Sequence, residues 1–154
     1  MTMLASVLLM ALLQHPAMSQ GMSHEEHLKK MQADAAMGFD QDRIAHHFLA
    51  SGAGGTIEVE ATDPSDAATI AQVRTHLKEI ARAFAAGDFS KPLLTHGEQP
   101  PGVAAMQRLK ADIAYRYEDR PSGGLVRVSS ANRDAREAIH AFLDYQIREH
   151  SKQR

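Results

Sequence analysis

The chain of 154 residues contains no cysteine. Disulfides, zinc–thiolate sites, iron–sulfur clusters and thiol catalysis are therefore excluded together. Any bound metal has to be held by histidine, methionine or carboxylate. Tryptophan is absent and aromatic residues make up only 5% of the chain, which leaves little stacking surface for sugars or bases. Neither sign of charge is in excess: the formal net charge is −2, with acidic and basic residues interspersed. Nucleic acid requires a basic stripe and an anionic membrane surface attracts polybasic segments, so neither is an expected partner.

Apolar runs are also short. Leu4 to Leu13 is uncharged and apolar, well below the ~20 residues that span a bilayer. Pro16 and the small-x-small pattern Ala17-Met18-Ser19 follow it. This order is that of a signal peptide with its cleavage site, although no Lys or Arg precedes the run. Residues 1–19 are accordingly expected to be a signal peptide. The mature chain is expected in the periplasm or outside a bacterial cell, with no stable membrane insertion once the leader is removed. Residues 20–37 read as a flexible, polar, helix-prone arm, and residues 38–154 as one domain.

That domain shows weak self-similarity at constant spacing. Ala45-His46-His47-Phe48-Leu49, a loop, and Gly54-Gly55-Thr56-Ile57-Glu58-Val59 align without gaps on Ala114-Tyr115-Arg116-Tyr117-Glu118, a loop, and Gly123-Gly124-Leu125-Val126-Arg127-Val128. Each unit, about 44–87 and 113–150, reads as strand, hairpin, strand, helix. Alternating apolar residues give the strands, and the Gly-Gly pairs are expected to supply positive φ to the hairpin loops. Asp63-Pro64 signals a capped helix start. Ile70, Val73, Leu77, Ile80 and Phe84 then recur at helical spacing up to the stop at Gly87. In the second unit Asn132 or Ser130 caps, and Ala135, Ile139, Phe142, Leu143 and Ile147 form the apolar stripe. The expected fold is α+β: a four-stranded antiparallel sheet from two repeated ββα units, two long helices on one face, and a short helix over Val103–Lys110 in the linker.

What the chain has in abundance is histidine and methionine, nine and eight residues. Neighbours on a strand point to opposite faces, so His46 lies with Ile44 and Phe48 on the bulky face and His47 on the other. His46 reads as either a core-edge histidine or a ligand, and His47 as a solvated ring or a ligand. His96 sits on the long linker before Pro100-Pro101-Gly102, where a ring is well placed to act. Met106 reads as core filler or as a thioether ligand. On the arm, His24 and His27 share a helical face, with Met31 and Met37 beyond. His140 lies at the margin of the last apolar stripe, while His76 and His150 read as solvated helix positions.

Met37-Gly38-Phe39-Asp40-Gln41, then His46-His47-Phe48, Pro100-Pro101-Gly102 and Ala138-Ile139-His140-Ala141-Phe142-Leu143 together resemble a group of small secreted bacterial proteins of no established activity. The likeness covers residues 37–150. It implies that Met37, Asp40, His46, His47 and His96 belong to one site. The group carries paired threonines before the two histidines, whereas Ile44-Ala45 stand there in this chain, which puts a hydroxyl role at that place in doubt.

Three functions follow as expectations. The first is binding or delivery of a transition metal through His46, His47, His96, Met37 and Met106, with His24, His27 and His140 as secondary ligands. Imidazole with thioether suits copper first, and imidazole alone also suits zinc. The partners would be the metal ion and another periplasmic protein. The second is a non-catalytic interaction or small-ligand module, marked by an apolar cavity between the linker helix and the sheet. The third and weakest is a metal- or histidine-dependent hydrolase, because no Ser, Thr or Cys stands in a recognisable nucleophile context.

Overall fold

The computed structural model describes residues 23–151. The leader expected over residues 1–19 and the first residues of the arm lie outside them. Among the described residues no helix is long and apolar enough to cross a membrane.

The arm forms a helix, α1 (His24–Met37). Ser23 and Glu26 cap its start reciprocally, each side chain accepting from the other's backbone N–H, and Gly38 ends it in the left-handed conformation. Lys30 ties it to the domain. Its Nζ lies 2.7 Å from Asp34, 3.1 Å from Asp40 and 3.3 Å from Asp42. These contacts hold the ammonium pKa above the usual lysine range, Asp34 contributing most.

A single 3-10 turn (Gln41–Arg43) leads into β1 (Ile44–Ser51), which pairs antiparallel with β2 (Gly54–Ala61). The second unit repeats the arrangement with β3 (Ile113–Arg120) and β4 (Gly123–Ser130). The two hairpins join through their second strands, giving the order β1-β2-β4-β3. Each strand is eight residues long, and the bounds of the second hairpin fall at the same spacing as those of the first. Two long helices, α2 (Ala67–Ala86) and α5 (Arg133–Ser151), cover one face. The linker holds two short helices rather than one, α3 (Ser90–His96) and α4 (Val103–Arg108). Helix α1 packs on α3, and α4 packs on α5.

The helices are interleaved with the hairpins. Helix α5 lies chiefly over β1 and β2, whereas α2 lies chiefly over β3 and β4. The glycine pairs explain how closely they approach. They sit inside the strands, not in the hairpin loops, and only Gly54 among them has a positive φ. A Cβ on Gly55 would stand 2.3 Å from Leu143 Cδ1 of α5, and one on Gly124 would stand 3.1 Å from Leu77 Cδ1 of α2. The second glycine of each pair thus clears space for a leucine of the helix above, and the first lies against a backbone carbonyl of the neighbouring strand, Val128 for Gly54 and Val59 for Gly123.

Local signals resolve in detail. Asp66, not Asp63, caps α2, its side chain accepting from Thr69 N at 3.1 Å. Asp63 instead closes a turn by accepting from Ser65 N. Asn132 caps α5, accepting from Asp134 N at 2.9 Å. Gly87 ends α2 as expected. The α2 stripe is buried throughout, but on α5 Ile147 is exposed and Gln146 is buried in its place. Phe84, Phe89 and Phe142 meet ring to ring at the centre of the core.

Among the described residues no helix packs on the other sheet face. It holds ion pairs from Arg120 to Glu58 and Glu118, and from Arg127 to Glu118, with Leu125 buried between Glu58 and Glu118 in the register.

Candidate functional site

The interleaving brings histidines from three elements together. His46, on the helix-facing side of β1, reaches the C-terminal end of α5, where its ring centroid lies 4.6 Å from that of His150. His150 in turn lies 5.9 Å from His96, the last residue of α3, with the rings perpendicular. Phe48 packs against both His46 and His150.

All three rings line one cavity of about 60 Å³ between α2, α3, α5 and the first hairpin. Ile57, Val59, Leu77, Ile80, Phe84 and Phe142 supply an almost wholly apolar wall. Met37, His76, Lys91, Pro92, Thr95 and Gln146 complete it. Among the described residues no Asp or Glu lines it.

His96 is held by α5. Its Nε2 lies 2.9 Å from Gln146 Oε1, its ring meets Tyr145 edge-on, and Tyr145 donates to Glu98 at 2.8 Å. With Nε2–H donating to Gln146, the lone pair of His96 is on Nδ1. A second hydrogen bond of this kind orients metal-binding histidines.

Burial governs the charge of His46 and His76. Desolvation pulls the His46 pKa down to about 3, helped by the neighbouring His150, His76, His47 and His96. His76 is pulled down to about 4, again mainly by burial and then by Lys91. Both rings are therefore neutral at pH 7 and present lone pairs rather than positive charge.

This has a consequence for the metal-free protein. Both folded-state values lie below the ordinary 6.5, so protons bind the unfolded chain more tightly. The stability these two rings protect is intact above about pH 6.5 and falls as the pH drops toward 4 and then 3. At pH 5 the loss is expected to be about 2 kcal/mol per ring. Urea unfolding at pH 7.5, 6 and 5 should show it, and a flat profile would contradict the burial of these imidazoles.

The remaining expected ligands lie elsewhere. His47 is exposed on the opposite sheet face, across from Glu58. Met106 is 1% exposed in the core beneath α4, and so acts as packing. Asp40 is engaged with Lys30 and Asp42 N at the foot of α1 and does not line the cavity. His140 bonds the Ser51 carbonyl at 2.7 Å. His24 and His27 are exposed on α1. Conversely, His76 and His150, read from sequence as solvated, both line the cavity, and His76 is buried. The signal for them was present. His76 falls three after Val73 and four before Ile80, and His150 falls four after Gln146 and seven after Leu143, so both continue an apolar stripe.

No protein-family model matches the chain, and no curated protein or solved structure is significantly similar to it.

Two imidazoles on one ion, with metal–nitrogen bonds of about 2.0 Å, can have ring centroids no more than about 6.3 Å apart. The His46–His150 and His96–His150 separations both fall inside this limit. As the side chains are packed, no group of three His, Asp or Glu among the described residues is arranged to hold one ion. A four-coordinate zinc site of the structural kind has no counterpart here, whereas a low-coordinate ion needs only the pair.

Proposed function

We propose that the chain binds copper as Cu(I), between His46 and His150, with His96 and Met37 as further donors on the same cavity. The observation that carries this reading is the meeting of imidazoles from β1, α3 and α5, that of β1 held neutral by burial, in an apolar cavity lined by no carboxylate of the described residues. Charge decides among metals. A divalent ion there would keep two uncompensated charges in a dry site, at a large desolvation cost. Cu(I) brings one charge, accepts few ligands, and prefers imidazole and thioether.

The half-buried positions of Met37, His96 and His150 suit release of the ion to another protein, and delivery in the periplasm is compatible with the lack of cysteine. A hydrolase reading gains nothing, since no carboxylate lines the cavity to orient a base. The small-ligand reading keeps one supporting observation, the apolar cavity beside α3, but about 60 Å³ is far below the 300–1,000 Å³ of ordinary ligand pockets.

The test is a competition titration under reducing, anaerobic conditions against a chromophoric Cu(I) chelator, with Zn(II) titrated in parallel. One equivalent of Cu(I) is expected to bind at least about 100-fold more tightly than Zn(II), following the ligand softness argument. Failure to take Cu(I) from the chelator, or tighter binding of Zn(II), would overturn the reading.

A further inference from the structure

We propose that β1 is the edge through which two copies of this chain associate, their β1 strands pairing antiparallel about a two-fold axis at His47. The two four-stranded sheets then run on as one. No ion takes part.

The order β1-β2-β4-β3 leaves β1 and β3 at the edges of the sheet, and an edge invites a further strand unless something blunts it. Charge and proline blunt β3. Arg116, Glu118, Asp119 and Arg120 make up half of it, and Pro121 follows. Nothing of that kind protects β1. Ile44–Ser51 carries no Asp, Glu, Lys, Arg, Pro or Gly, and it pairs residue for residue with β2, without a bulge. Leu49 stands 63% exposed on its helix-free face.

The ladder fixes which groups are on offer. Thr62 donates its N–H to the Arg43 carbonyl, and these two residues continue the register of Ile44 with Ala61. Hydrogen-bonded pairs alternate along an antiparallel ladder, so Ala45, His47, Leu49 and Ser51 bond to β2. Ile44, His46, Phe48 and Ala50 turn their N–H and C=O groups outward, and among the described residues no strand receives them.

The strand complements itself. With the axis at His47, Ile44 bonds to Ala50 of the partner subunit, and His46 to Phe48 of the partner subunit. Between them Ala45 meets Leu49 of the partner subunit, and His47 meets its own counterpart. Each branched aliphatic side chain thus faces an alanine, an imidazole faces a phenyl ring, and no Asp, Glu, Lys or Arg enters the seam. The helix layer leaves room. His140 reaches the Ser51 carbonyl and His150 reaches His46, so α5 runs against β1 and ends over its middle. The partner's α5 covers the opposite half of the seam, and the two helices meet at their C-terminal ends, where Ile147 is exposed. A self-complementary patch of this kind makes a closed two-fold dimer.

Sedimentation equilibrium of the full metal-free chain is the test. The mass is expected at twice the 16.9 kDa of one chain. His47→Lys sets two ammonium groups against each other at the axis, and like charges directly opposite are destabilising, so the mass should halve. His47→Asp should halve it too, and an equal mixture of the two variants should restore the doubled mass. Ala50→Pro removes an outward N–H, leaves the ladder to β2 intact, and should also halve the mass. Arg116→Glu, at the matching place on β3, should leave it doubled. A wild-type mass of one chain, or of more than two, would overturn the proposal. So would a doubled mass that survives both His47→Lys and Ala50→Pro, or that is lost in Arg116→Glu but not in these. A mixture that stays at the mass of one chain would overturn the placing of the axis at His47.

Discussion

Replacing His150 with alanine is expected to weaken Cu(I) binding by at least about 100-fold, because even groups that only orient a ligand are worth 10–100-fold. His46→Ala should do the same. His47→Ala, one residue along the strand, should leave the affinity within about twofold. The contrast arises from strand geometry: adjacent residues face opposite sides of the sheet, and only His46 faces α5. His150 is the member that approaches both other rings, so its removal leaves His46 and His96 without their common neighbour. Chelator competition measures the affinities, and thermal melts of the metal-free variants check that each still folds. Equal affinity of His150→Ala and His47→Ala would remove the basis for placing the ion at this cluster.

The second large effect concerns the seam between the hairpins. A Cβ added at Gly123 would lie 2.0 Å from the Val59 carbonyl oxygen and 2.9 Å from Glu60 Cα. Both obstacles are backbone of a central strand, so no flexible side chain can yield. Gly123→Ala is expected to destabilise the protein by at least about 3 kcal/mol, in the range of severe core disruptions. Gly52→Ala is the control. Nothing lies within 4 Å of its added Cβ, and a change within about 0.5 kcal/mol is expected there. Urea unfolding of both variants decides the matter, and similar midpoints would refute the close-approach account. The effect bears on the site as well, since Val59 is the register partner of His46.

Periodicity made the fold readable. Strands with alternating apolar residues, a helical stripe from Ile70 to Phe84 and a glycine stop at Gly87 are local patterns, and each appears where its spacing places it. The face occupied by His46 followed from the same alternation. Other features depend on how distant elements meet, and one chain position cannot state that. Which hairpin lies beneath which helix is a tertiary choice, and it is this choice that sets His150 over His46. The glycine pairs were read as turn formers because Gly-Gly beside a hairpin fits that role, while the approaching leucines lie far along the chain. Met106 and His96 looked alike as linker candidates. One faces the core beneath α4, the other is turned to the cavity by Gln146 and Tyr145. His76 reads from sequence as a solvated helix position, although its spacing places it on the buried stripe.

The crossed packing of helices over hairpins has a thermodynamic corollary. His46 and His96 belong to the portion of the chain before Pro100, and His150 to the portion after it. An ion held between His46 and His150 would staple the two portions together, and since it recognises only the assembled form, mass action would transmit its affinity to the cohesion of the whole molecule. Occupancy and cooperative unfolding would then be one equilibrium, and surrender of the metal to a recipient would loosen the entire protein rather than one corner of it.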